Sequence, residues 1–145
     1  MQQQRTRLGA AVLALLATGA LGTAGLATAA STTTLHAKLT GKAETPAGDT
    51  DGKGSATFRV TGKKICYTLS WTKIGAPNAA HIHRGAKGKA GSVVVGLFAG
   101  KAKKTGCVTT TSALAKEIAK HPSRFYVNIH DAQYPNGAIR GQLGS

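Results

Sequence analysis

Along most of the chain, apolar and polar residues alternate in short runs, and each run ends at Gly, Pro or Asn. This is the pattern of half-buried β-strands separated by turns. It is clearest from Lys64 to Trp71, where Ile65, Tyr67, Leu69 and Trp71 share one face and Cys66, Thr68 and Ser70 the other. Comparable runs at Thr34 to Leu39, Gly54 to Val60, Ala79 to His83, Cys107 to Thr110, Arg124 to His130 and Ala138 to Leu143 predict further strands. Ser92 to Phe98 is continuously apolar, which predicts a central strand covered on both faces. Ser112 to Lys120 changes to a helical period, with Leu114 and Ile118 one turn apart, Ser112 available as a cap and Pro122 as a stop. Asn136-Gly137 marks a tight hairpin turn between the last two strands, because both residues accept positive φ. Short strands with one helical insertion predict an all-β fold, an antiparallel sandwich or barrel with one short helix.

The first 29 residues follow a different pattern. Arg5 and Arg7 precede an apolar run from Leu8 to Leu26, which closes on Ala27-Thr28-Ala29. A positive end, an apolar middle and a small-residue A-x-A triplet are the three parts of a secretory signal peptide, here cleaved after Ala29. Gly19, Gly22 and Gly25 interrupt the run and argue against a permanent anchor. Thr6 separates the two arginines, so a twin-arginine signal is not supported. Residues 30–34 read as a short leader, and residues 35–145 as a single domain large enough for one modest core. No later stretch is long or apolar enough for a transmembrane helix.

Export changes the reading of the two cysteines, Cys66 and Cys107, the only ones in the chain. In an oxidising compartment an even count predicts a disulfide, and the absence of a CxxC pair makes it structural rather than redox-active. Charge changes the reading of partners. Of the 19 basic residues only Arg5 and Arg7 precede the cleavage point, leaving 17 against five acids and a formal charge of +12. Such a surface attracts anionic cell-wall polymers or other polyanions. The lysines are scattered over loops without interleaved aromatics, so a specific nucleic-acid site is not indicated, and a solvated surface explains them equally. Glu44, Asp49 and Asp51 fall together in the first loop and read as a solvated turn.

The chemically distinctive residues are histidines. His81 and His83, two apart on a strand, leave the same face while Ile82 points to the core between them. On the penultimate strand Tyr126, Asn128 and His130 oppose the apolar Phe125, Val127 and Ile129, and on the last strand Arg140 and Gln142 oppose Ile139 and Leu143. If the three strands are neighbours, these polar faces meet. His81, His83 and His130 would then form a three-imidazole site for copper or zinc, with Asp131 as a fourth ligand or a supporting acceptor. Alternatively, Asn128, Arg140, Gln142 and the histidines form a metal-free hydrogen-bonded network that fixes strand register. His36 and His121 look incidental.

These segments also carry a family resemblance. Ala80-His81-Ile82-His83-Arg84-Gly85, Gly91-Ser92-Val93-Val94-Val95, Phe125 to His130 and Tyr134 to Leu143, with Leu39-Thr40-Gly41 and Glu44-Thr45-Pro46 before them, resemble the CHRD domain. That module was first described in chordin and is widespread in secreted bacterial proteins. The exported actinobacterial branch is similar in also carrying cysteines at the positions of Cys66 and Cys107. The resemblance implies an immunoglobulin-like β barrel or sandwich, with a proposed distant similarity to copper/zinc superoxide dismutase, where a strand H-x-H supplies copper ligands. It implies no common activity, and growth-factor antagonism does not carry over to a chain without chordin's cysteine-rich repeats.

No paired catalytic carboxylates or nucleophile–base signature occurs in the sequence. The expected function is therefore an exported, non-enzymatic binding or structural module of the cell surface or medium. A copper- or zinc-binding protein is the alternative. A superoxide dismutase would need more histidines than this cluster offers.

Overall fold

The computed structural model describes residues 30–145; the signal peptide expected over residues 1–29 lies outside the described residues. Eight strands run in the order β1 (Thr32–Thr40), β2 (Lys53–Thr61), β3 (Lys64–Thr72), β4 (Pro77–Arg84), β5 (Val93–Ala99), β6 (Thr105–Thr109), β7 (Phe125–Asp131) and β8 (Ile139–Gln142). Among the described residues one α-helix, α1 (Ser112–Lys120), lies between β6 and β7. The strands form one antiparallel sheet in the order β5-β4-β7-β8-β1-β2-β3-β6, curled into a nearly closed barrel. Among the described residues no helix is long and apolar enough to cross a membrane.

Alternation fills the barrel as the sequence predicts. Leu35, Leu39, Phe58, Ile65, Ile82 and Val127 point inward and are fully buried. Burial of each such side chain contributes about 1.5–3 kcal/mol. α1 lies against β1 and β2 through Ala115 and Ile118. Its cap is Thr111 rather than Ser112: the Thr111 hydroxyl accepts the Leu114 N–H at 3.2 Å. A threonine in extended backbone can fold its oxygen back over the first turn, whereas Ser112 already has helical geometry.

Two other expectations change. The first strand begins at Thr32, inside the segment read as leader, because Thr32 pairs with Thr61 and their hydroxyls lie 2.6 Å apart. The apolar β5 is not central but ends the sheet order, and Val93 is 51% exposed. Its inner residues are apolar because the curled sheet brings them against β3 across the seam. There the Tyr67 hydroxyl donates to the Leu97 carbonyl at 3.0 Å.

Cys66 and Cys107 face each other directly on β3 and β6 and form a disulfide. The bridge clips the end strand β6 to the barrel and closes a 41-residue separation that contains β4 and β5. In the chain-entropy account such a loop stabilises the fold by about 4 kcal/mol. Replacing both cysteines by alanine should lower the unfolding free energy in urea by about that amount; an unchanged midpoint would show that the bridge contributes nothing.

Candidate metal centre

His81 and His83 leave β4 on one side, with the fully buried Ile82 between them. The ladder to β5 slips between Ala80 and His81 and again between Ile82 and His83. Both skipped residues, Leu97 and Val94, are on β5, so it is β5 that bulges beside the histidines. The ladder to β7 is regular over the same residues, pairing Ala79 with His130, His81 with Asn128 and His83 with Tyr126. His130 therefore stands diagonally across from His81 on the same face.

The three rings converge. His81 Nδ1 lies 3.1 Å from His130 Nε2, and one ring nitrogen from each of His81, His83 and His130 lies within 4.8 Å of the other two. His83 and His130 are buried, at 9% and 8% exposure. Backbone carbonyls orient two of the rings: His83 Nδ1 donates to Gly91 O at 2.9 Å and His130 Nδ1 to Pro135 O at 3.0 Å. A carbonyl only accepts, so both Nδ1 atoms carry the proton and both Nε2 atoms present lone pairs when the rings are neutral. Carbonyl-anchored imidazoles of this kind are the usual support of histidine metal ligands.

Burial, then the neighbouring His130 and His83, holds His81 down to a pKa of about 4. Burial also lowers His130, against the raising effect of its bond to Pro135. These two rings are thus neutral near pH 7, the state in which imidazole binds a metal. His83 Nε2 is buried and has no hydrogen-bond partner among the described residues. Such an atom costs about 1–3 kcal/mol. The His81 Nδ1 proton is shared toward His130 Nε2; moving it to Nε2 within the ring leaves an unprotonated nitrogen on each of the three clustered imidazoles. The cluster can coordinate a metal ion, and an all-imidazole donor set suits zinc or copper.

Asp131 does not join this set. Successive strand residues point to opposite faces, and its carboxylate turns toward the β3–β4 connection. Oδ2 accepts the Gly75 N–H at 2.9 Å, while Oδ1 accepts those of Gln133 and Tyr134 at 3.0 and 2.8 Å. It acts indirectly, by shaping the turn that presents the Pro135 carbonyl to His130.

The expected single polar face divides into two groups. Asn128, Arg140 and Gln142 form the second, with Arg140 and Gln142 beneath the β4–β5 loop, which folds back over β7 and β8. Arg140 is 2% exposed and donates to Ala86 O at 2.9 Å, while Gln142 donates to Gly85 O and Ser123 O at 2.7 and 2.8 Å. Tyr126 joins the groups. Its ring stacks on His83 at 4.7 Å between centroids and carries the Arg140 guanidinium 3.3 Å from its centroid. Since β4 and β8 flank β7 on opposite sides, the tyrosine is sandwiched between them. Its hydroxyl accepts the Gly91 N–H at 3.2 Å, and a Cβ on Gly91 would lie 1.7 Å from the Arg84 carbonyl oxygen, so only glycine fits there.

Glu44, read from the sequence as part of a solvated turn, is instead 8% exposed and packed beside Arg140, Asn128 and the backbone of Gly137. Burial raises its pKa to about 7 against the lowering effects of Arg140, Asn128 and its backbone bond at Thr45. The composition of the turn concealed it; its place in the Glu44-Thr45-Pro46 motif was the available signal. Tyr126 carried no signal beyond its place on the polar face.

A profile of the CHRD domain matches residues 35–143. The chain belongs to the CHRD domain family. The matched span runs from β1 to just beyond β8 and includes both polar groups of this CHRD domain. No curated protein and no solved structure matched the chain.

The raised Glu44 pKa has a defined sign. Between pH 4.5 and about 7 the folded state keeps a proton that the unfolded state releases, so this contribution is full below pH 4.5 and is lost as pH rises through 7. It amounts to up to about 3 kcal/mol. His81 acts oppositely: its contribution is present above pH 6.5 and is lost as pH falls toward 4. Subtracting the wild-type melting curve from that of Glu44→Gln isolates the carboxyl. The variant should gain stability relative to wild type as pH rises from 4.5 to 8, and a flat difference would show that Glu44 titrates normally.

Proposed function

We propose that this CHRD domain is an exported, non-enzymatic metal-binding module of the actinobacterial type, which holds one copper or zinc ion through His81, His83 and His130. The observation that carries this reading is the convergence of three imidazoles, two of them held by backbone carbonyls and one, His83, with a buried unpartnered Nε2. The Nδ1 of that ring is anchored on the Gly91 carbonyl, which leaves its Nε2 lone pair available to an ion. Membership of a family typical of extracellular proteins, the signal-like first 29 residues and the Cys66–Cys107 pair support export. The lack of any nucleophile–base signature supports binding, storage or delivery rather than catalysis. The basic surface supports association with anionic polymers of the wall or medium.

The direct test is metal titration of the purified protein. One equivalent of Cu(II) or Zn(II) should be retained through gel filtration, and metal at 100 times its Kd should stabilise the fold by about 2.7 kcal/mol. His83→Ala and His130→Ala should each abolish stoichiometric uptake, while His36→Ala should leave it intact. Absence of uptake by the folded wild type, or unchanged uptake in both variants, overturns the assignment. Export is tested separately: N-terminal sequencing of protein from the culture medium should begin at Ala30.

A further inference from the structure

Beyond the histidines, a cleft of about 420 Å3 opens on the Arg140 side of the Tyr126 sandwich. Lys38 of β1 and Lys42 of the following 3-10 turn stand on one side and Lys87 of the β4–β5 loop on the other, with Arg140, Gln142 and Glu44 also lining it. The three lysines are exposed, whereas Arg140 is 2% and Glu44 8% exposed. Gln142 Oε1 and Glu44 Oε1 are buried without hydrogen-bond partners among the described residues.

We infer that this cleft binds an oxyanion, the phosphate or carboxylate group of a repeating anionic polymer. Four cationic side chains from β1, its following turn, β8 and the β4–β5 loop converge on one concavity, and its volume lies in the range of about 300–1,000 Å3 that accommodates small ligand groups. A solvated lysine face lacks such a concavity. It also lacks a buried guanidinium, whose fixed donor fork matches phosphate and carboxylate. The sole acid lining the cleft, Glu44, does not oppose an anion below neutral pH. It faces Arg140, Asn128 and the Gly137 backbone, and burial keeps it protonated up to about pH 7. The Glu44 carboxyl lies where a side chain on Gly137 would stand, 2.2 Å from a Cβ at that position, so only glycine leaves room for it. The assignment localises the polyanion attraction of the proposed exported module and does not rest on its metal site.

Binding of poly(glycerol phosphate) and of polygalacturonate to the full purified protein at pH 6, with EDTA present, tests this and distinguishes phosphate from carboxylate. Lys38→Gln/Lys42→Gln/Lys87→Gln should weaken binding of the preferred polymer at least tenfold. The charge-matched control Lys101→Gln/Lys103→Gln/Lys104→Gln should weaken it less than threefold. Both sets are surface changes, and matching melting temperatures will show that both fold. Equal losses in the two variants overturn the cleft and leave only diffuse attraction; no binding by wild type overturns the polymer partner as well. Duplex DNA bound more tightly than both polymers, with the same lysine dependence, also overturns the assignment. Copper or zinc uptake should be unchanged in both variants, so the metal reading fails or stands separately.

Discussion

The antiparallel register of β7 against its two neighbours is the constraint on which both polar groups depend. It sets His83 opposite Tyr126 and His81 opposite Asn128 on one side, and Asn128 opposite Arg140 on the other. Side chains alternate with period two, so a slip of one residue would send His130 and Tyr126 into the core and Val127 and Ile129 out of it. The fully buried Val127 and Ile129 therefore hold the imidazoles in place from the opposite face of the same strand. Packing inside the barrel and chemistry outside it follow from one pairing.

Much of this was legible in the sequence, and the remainder was hidden for physical reasons. Alternation located seven of the eight strands, because the inward faces must be apolar wherever a sheet surrounds a core, while an apolar run located β5 and a helical period α1. The H-x-H pair and His130 were visible as unusual polar residues on otherwise apolar strands. The position of β5 was not, since an apolar run reads alike in a central strand and in an end strand covered by the curl of the sheet. Asp131 was misplaced by its proximity in sequence to His130, although alternation alone would have put it on the other face. Glu44 was concealed because a loop rich in small and polar residues gives no sign of being covered. It is covered at the β7–β8 turn, which together with the β4–β5 loop makes a second layer over the sheet.

That second layer distinguishes this outer surface from an ordinary solvated sheet face. The Gly85–Gly91 segment supplies three carbonyls, Gly85 to Gln142, Ala86 to Arg140 and Gly91 to His83. It thus orients residues in both groups while excluding water from the tyrosine between them. β7 is buried along its whole length as a result. Two chemically different groups, one of imidazoles and one of a guanidinium with a carboxyl, share the opposite faces of one aromatic ring.

The strand order has a further consequence, for the timing of assembly. β7 and β8, made last, occupy the middle of the sheet and join the β5-β4 pair to β1-β2-β3-β6. Until they arrive, the earlier strands form two separate fragments, and the ladders that join them span long stretches of chain, which makes closure slow. The barrel therefore cannot close before β8 has been made. A chain with this topology stays open, and could still be drawn through a narrow passage, until its last strand is available.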